Sequence, residues 1–398
     1  MNHSPAPGFG FILLLAMTVA LGPLALDTYL PAFPAMADTL GVDSHILSLS
    51  ISIYVFALSL GQLIGGPLSD RLGRGPVLLS GLAVFTLASL AIWQTDDFKL
   101  LLLLRALQAF GGGWAAVCVP ALVRDRIRGR EAAKLFSMIG LIVVAAPAFA
   151  PSLGSLLLEL GGWPSIFLFL GVYGAALLVA LRSTLFRGPR TPVTAPATSA
   201  LRRYAAVLAT RPALRFIGLQ AMAFSVMMLF ITHSSFIYQH HFGVGPKLFA
   251  ILFGANIVVM TAMMLLNRIA LNRFSPHRIL RISITLQAAG IAALSLVLWL
   301  APTLWLFVPA MMITVGAMGA ISPNNQASCM EYFEENGGTA AALMGALQFS
   351  VAGGVSALSS MLPETVEAVV AGMAICSAVC LLLVWTPFRD SLPAEQPL

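Results

Sequence analysis

Twelve separate runs of apolar residues, each close to the length that crosses a bilayer, leave this chain few ways to fold. They lie near residues 9–34, 45–67, 76–94, 98–122, 135–158 and 163–184, then 213–238, 246–270, 278–300, 303–323, 338–361 and 364–386. A helix needs about 20 apolar residues to span the hydrocarbon core. Stretches such as Leu100 to Leu104 and Phe167 to Leu178 are continuously apolar, whereas a membrane β-strand alternates apolar and polar positions. Backbone groups in lipid must be satisfied within their own segment, so helices are expected throughout. Composition agrees, with 59% of the 398 residues hydrophobic and 10% charged, against about a quarter charged in a soluble domain. A compact soluble enzyme is excluded. No Lys or Arg precedes the first run, and it is too long for the apolar part of a signal peptide, so it is expected to stay in the membrane.

The basic residues fall on alternate loops. Every arginine except Arg105 lies on one set, together with Lys134, and the opposite face holds only Lys99 and Lys247. This asymmetry predicts cytoplasmic termini and an even number of spans. Glu331, Glu334 and Glu335 sit on the basic side without overturning the assignment, because acidic residues contribute little to it. The net charge of +6 therefore reads as topology, with no nucleic-acid partner. Cys118, Cys329, Cys376 and Cys380 lie in or beside apolar segments without ligand spacing, so buried thiols are expected, with no disulfide and no metal.

The longest polar stretch, 187–212, carries four prolines and divides the runs six and six. The expected organisation is a six-helix bundle over 1–186, a cytoplasmic linker over 187–212, a second bundle over 213–387 and a tail over 388–398. Within the linker, Leu201 to Leu208 suits either a short basic surface helix or a disordered tether. The fold class is thus all-α integral membrane, with twelve spans in two six-helix, pseudo-symmetric halves. Such a layout suits a transporter with its site between the halves near the midplane.

Asp27 and Arg105 are the charged residues placed inside spans. An unpaired charge at the bilayer centre costs at least about 2.5 kcal/mol, so both are expected to face a cavity or each other, directly or through water. Burial favours the neutral carboxyl and a nearby guanidinium the ionised one, which gives Asp27 the character of a proton carrier. The alternatives are a static buried pair, or an Asp27 near enough to the interface to be solvated. Tyr54, Gln62, Gln108, Trp114, Gln220, His233, Asn256 and Gln348 are polar positions that can line a cavity or bond between helices. Asp27, Tyr54, Gln108, Trp114, Asn256 and Gln348 form the expected substrate-binding set. Gln108 lies one turn from Arg105 and shares its face. His233 suits either a packing role or proton transfer. Met222, Met227 and Met228 suit an adaptable apolar wall or ordinary core. Gly111, Gly112, Gly113, Pro147, Pro151, Gly154, Gly353 and Gly354 are places for close helix contact or kinks.

Several motifs resemble a known family. Gly66-Pro67-Leu68-Ser69-Asp70-Arg71-Leu72-Gly73-Arg74 resembles the signature loop of the major facilitator superfamily. Asp27-Thr28-Tyr29-Leu30-Pro31-Ala32 is similar to an element of its Bcr/CflA-type drug/proton antiporters. Arg105 to Ala109 resembles the family's RxxQG motif, and Ala146 to Gly154 its antiporter motif, here without part of the glycine pattern. Asn267 to Arg278 and Gly345 to Gly354 resemble the second-half counterparts. The resemblance implies a proton-driven exporter of small amphipathic or cationic compounds working by alternating access, and a monomer in a bacterial inner membrane. Its partners would be substrate, protons and lipid, with no cofactor. It also implies that Asp27 and Arg105 couple protons, that Asp70, Arg71 and Arg74 form a conformational latch, and that Pro147, Pro151 and Gly154 kink a gating helix. Uptake by symport stays open. An intramembrane enzyme would need a nucleophile and base or metal ligands, and neither GxSxG nor HExxH occurs. A receptor without transport is a further alternative.

Overall fold

The computed structural model describes residues 9–126, 146–186, 200–300, 302–333, 337–363 and 365–386, and among them all regular structure is helical. The first expected span is broken. Helix α1 (Phe9–Asp27) ends at Asp27, a 3-10 turn covers Leu30–Ala32, and α2 (Phe33–Leu40) completes the crossing. Pro31 and Pro34 explain the break, since each lacks the N–H that a continuous helix would need. Gly41, in the left-handed region at φ 63, ends α2. After the single turn α3 (Ser44–Leu47) come α4 (Leu49–Leu72), α5 (Arg74–Trp93) and α6 (Phe98–Arg126). The reversal between α4 and α5 turns on Gly73, whose φ of 95 suits glycine. Helix α7 spans 146–161; the rest of the fifth expected run lies outside the described residues. Helix α8 (Pro164–Thr184) closes the first set.

The linker contains α9 (Ala200–Ala209), so the helical alternative holds for Leu201 to Leu208; residues 187–199 lie outside the described part. The second set comprises α10 (Arg211–Ser235), α11 (Pro246–Ala270), α12 (Pro276–Leu300), α13 (Leu304–Gly316), α14 (Met318–Met330), α15 (Gly337–Ser359) and α16 (Val366–Trp385). Eleven helical stretches among the described residues are long and apolar enough to cross a membrane.

Several spans run past their expected ends, the first to Leu40 rather than 34 and the second to Leu72 rather than 67. The tenth span runs Leu304–Met330 rather than stopping near 323. Its polar end stays helical because Asn324 donates to the Ala320 carbonyl (2.7 Å) and to Asn267 Oδ1 (2.6 Å), while Asn325 donates to the Phe216 carbonyl (2.8 Å). The seventh span continues past 238 through a π turn, Phe236–His241.

Helix α6 runs against α1, α4 and α5, and α8 covers α5 and α1. In the second set α10 lies against α15 and α16, while α12 and α11 hold α13 and α14. Contact between the sets runs chiefly through α4 and α15, and the 3-10 turn after α1 touches α10 and α11. Glycines permit the close approach around α6. A Cβ on Gly113 would stand 2.5 Å from the Leu58 carbonyl oxygen, and one on Gly111 2.5 Å from that of Gly81. Between helices in lipid, such small residues let backbones meet. Outward-facing side chains are large and apolar, with Trp299 82% and Trp305 70% exposed. A soluble surface avoids such patches, whereas lipid accepts them.

Candidate functional site

The centre of the first set is built around Arg105, which is wholly buried on α6. Its Nη1 donates to the Ala25 carbonyl (3.1 Å) and to Gln108 Oε1 (2.6 Å). Gln108 Nε2 in turn donates to Ser89 Oγ (2.8 Å), and Ser89 to the Phe85 carbonyl (2.7 Å). The guanidinium carbon stands 4.4 Å from the Tyr29 ring centroid and 4.2 Å from that of Tyr54, with Phe167 at 5.8 Å. Tyr29 Oη bonds with Ser50 Oγ (3.0 Å). Arg105 Nε and Nη2 have no hydrogen-bond partner. Aromatic faces, a carbonyl and a carboxamide therefore surround this cation, an environment worth about 2 kcal/mol or more per well-placed ring when desolvated.

Asp27 ends α1 and is 2% exposed, with Oδ1 buried and lacking any hydrogen-bond partner. Of the arrangements left open for Asp27 and Arg105, the direct ion pair is not formed among the described residues. The cause is the break after Asp27. Where α1 unwinds, Tyr29 turns its ring onto the guanidinium, while the Ala25 carbonyl takes one of its N–H groups. Asp27 is the one acidic side chain among the buried residues described.

The other expected site residues are scattered. Gln108 belongs to the Arg105 network, and Tyr54 is fully buried against it instead of facing an open chamber. Trp114 wedges between helices, its ring 2.9 Å from where a Gly65 Cβ would stand, and it packs on Phe110 at 5.2 Å. Asn256 is buried, donating to the Leu252 carbonyl of its own helix (2.8 Å) with Oδ1 unpartnered. Gln348 accepts from Gln220 Nε2 (2.9 Å), which also reaches Ser322 (3.1 Å), while Asn325 donates to Gln220 Oε1 (3.1 Å). No hydrogen bond among the described residues links Asn256 or Gln348 to Asp27. Gln62 is half-buried on α4. His233 bonds Ser359 Oγ (2.8 Å) and lines a small gap with Phe236, Pro363 and Thr365.

In the turn between α4 and α5, Arg74 pairs with Asp70 and donates to Ser69 Oγ (2.6 Å), while Arg71 is exposed. Pro147 and Pro151 lie within α7, where Ser155 bonds back to the Pro151 carbonyl (3.0 Å). Gly154 meets the Thr28 carbonyl so closely that no Cβ fits. The four cysteines are free and buried, and no cluster of metal-ligating side chains occurs among the described residues.

A seam between the sets escaped the sequence reading. At the end of the bundle away from the Asp70 turn, Ser48 bonds Ser360 (2.8 Å) and Ser52 bonds Ser356 (2.8 Å). Thr232 joins Ser356 (2.6 Å), and nearer the middle Ser59 bonds Ser350 (2.7 Å). A second seam pairs Lys247 with Glu159 (3.0 Å) and Ser155 with the Pro246 carbonyl (3.2 Å). Gln239 reaches the Leu30 carbonyl (3.3 Å). The available signal was serine at four-residue spacing, 48 with 52 and 356 with 360, which puts each pair on one helix face.

The family description Major Facilitator Superfamily matches residues 15–357. The chain belongs to that superfamily. Its relatives include the uncharacterized MFS-type transporter YdgK of Bacillus subtilis, 31% identical over 90% of each chain. The bicyclomycin resistance protein homolog of Haemophilus influenzae is 28% identical over 94% of this chain and 95% of its own. Multidrug resistance protein D of Escherichia coli is 28% identical over 97% and 98%. A crystal structure of a D-xylose-proton symporter superposes with a TM-score of 0.74 over 95% of this chain and 98% of its own, at 16% identity, which confirms the facilitator fold. This superfamily chain is a multi-pass membrane protein.

Proposed function

We propose that this facilitator exports small amphipathic drugs in exchange for protons, by alternating access, across a bacterial inner membrane with both termini cytoplasmic. The observation that carries the reading is Asp27, the only buried acidic side chain described, without a partner, at the break in the first span. A carboxyl there can take a proton from one side and give it to the other. A proton moved without a compensating charge brings about 2.3 kcal/mol per 100 mV of membrane potential; exchange for a univalent cation cancels that charge movement and leaves the pH gradient as the drive, with no cofactor. Relatives named for bicyclomycin and multidrug resistance support the drug class. Arg105 works with Asp27, and Tyr54, Gln108, Trp114, Asn256 and Gln348 shape the path for substrate. Asp70 with Arg71 and Arg74 latches one state, and Pro147, Pro151 and Gly154 give α7 its bend. The protein acts as a monomer in contact with lipid.

The test compares wild type with Asp27→Asn in inverted membrane vesicles carrying an inside-acid gradient, using ethidium and chloramphenicol as probes. Wild type is expected to accumulate probe, and Asp27→Asn to lose that accumulation while reaching the membrane at normal levels. Undiminished gradient-driven accumulation by the variant overturns the reading, and accumulation driven only by the reversed gradient assigns symport.

A further inference from the structure

Resting on the assignment of Asp27 as the proton site, we propose that Tyr29 and Tyr54 are positioning residues, a two-ring clamp that holds the Arg105 guanidinium off Asp27 and thereby sets the pH range over which that carboxyl exchanges its proton.

The observations converge on the guanidinium. It lies 4.4 Å and 4.2 Å from two tyrosine ring centroids contributed by separate elements, the turn after α1 and the body of α4. Its one bonded nitrogen, Nη1, is occupied by Ala25 and Gln108, while Nε and Nη2 remain without partners. Asp27 Oδ1 is equally without a partner, although it lies only two residues beyond Ala25. Unpartnered charge-bearing donors and an unpartnered carboxyl oxygen in one apolar interior represent a pair held apart. Opposite charges attract strongly in such an interior, so closing this pair is the arrangement the clamp opposes. The rings are what stand against that. Each offers the cation a π face, and both are themselves pinned, Tyr29 by Ser50 (3.0 Å) and by ring contact with Phe33 at 5.1 Å and Phe167 at 5.9 Å. Tyr54 is wholly buried. The break that ends α1 puts Asp27 and Tyr29 on one short hinge, so motion of that turn moves carboxyl and clamp together.

Among the described residues few other groups can interfere. Those titratable or charged and facing this centre are Asp27 and Tyr29 from the first span, Tyr54 from α4 and Arg105 from α6. Helix α5 presents Ser89, and α8 presents Phe167. Tyr173 of α8 bonds the Met17 carbonyl, ten residues before Asp27. Helix α7 meets Thr28 through Gly154, and its Glu159 is paired with Lys247.

The experiment needs no substrate. Purified full-length protein in liposomes is titrated by infrared difference spectroscopy, and the Asp27 carboxyl band is assigned by its absence in Asp27→Asn. Tyr54→Leu removes one ring face, lets the guanidinium reach the carboxylate and moves the midpoint of that band to lower pH by about one unit or more. Tyr54→Phe keeps the face and keeps the wild-type midpoint. Tyr54→Met, an unbranched filler of the same gap, repeats the test should the leucine variant fold poorly. A wild-type midpoint in the leucine or methionine variant overturns the clamp, as does an equal shift in Tyr54→Phe, which would assign the effect to the hydroxyl. Failure of the transport reading is separate, because it appears as proton-driven accumulation persisting in Asp27→Asn.

Discussion

Gln108 shows how much one neutral side chain does in a dry interior. It accepts from a buried guanidinium and passes a hydrogen bond to Ser89, so oriented dipoles along two further residues stabilise the charge on Arg105. Gln108→Leu removes an acceptor from a buried cation, and breaking a bond to a charged group costs about 2–3 kcal/mol. The expected outcome is a clear fall in the thermal midpoint of the detergent-solubilised protein. Gln108→Glu restores an acceptor and supplies a countercharge, and is expected to melt well above the leucine variant. Equal midpoints for the two would mean that the amide contributes only volume. The sequence pointed to this pair through a spacing of three residues on one helix, which is a local rule. Tyr29 as a partner of Arg105 was not legible, because it depends on how a proline-interrupted turn, 76 residues away in the chain, reorients one ring.

At the level of elements, glycines on the same kind of apolar helix turn out to have opposite tolerances. Gly113 abuts the Leu58 backbone, whereas nothing lies within 4 Å of a Cβ built on Gly345 or Gly354. Gly113→Ala is expected to push α6 from α4, an overpacking cost of about 1–3 kcal/mol. Gly345→Ala should be neutral or slightly stabilising, since alanine is the better helix former by up to about 1 kcal/mol. Folded yield and melting midpoint read both, and matching losses would contradict the helix contacts described. The spans themselves were legible because lipid forces continuous apolar runs. The tenth was underestimated because Asn324 and Asn325 look like an exit into water until their partners, Asn267 and Phe216 on other helices, are known. Gly353 and Gly354 looked alike in sequence, yet only Gly353 faces α4, where an added Cβ would stand 3.1 Å from the Phe56 nitrogen.

For the whole molecule, the serine seam makes a geometric demand. If the two sets rock against each other, α4 and α15 must part where Ser52 and Ser356 now touch at 2.8 Å. Ser52→Cys combined with Ser356→Cys places two thiols within disulfide reach. Oxidation is expected to link the sets and stop transport of ethidium in vesicles, and a reductant to restore it. Transport that continues in the fully oxidised protein would show that this seam stays shut through the cycle. Lys247 with Glu159 adds little to the other seam, since an ion pair whose side chains are 77% and 52% exposed contributes about 1 kcal/mol at most. None of this seam was visible as a pairing in the sequence, because its partners are some 300 residues apart; only the spacing of serines along each helix was.

The π turn at Phe236–His241 carries one residue more than an α-helix of the same rise would hold. That surplus sets the phase of the helix end, presenting Tyr238 to Phe230, Phe249 and Phe307 and sending Gln239 across to Leu30. Removing a single amino acid from the bulge would rotate everything beyond it by about 100°, evicting the phenol from its aromatic nest and withdrawing the amide from the hinge beside Asp27. The corner where the two halves meet that hinge is thus tuned by chain length as much as by chemistry.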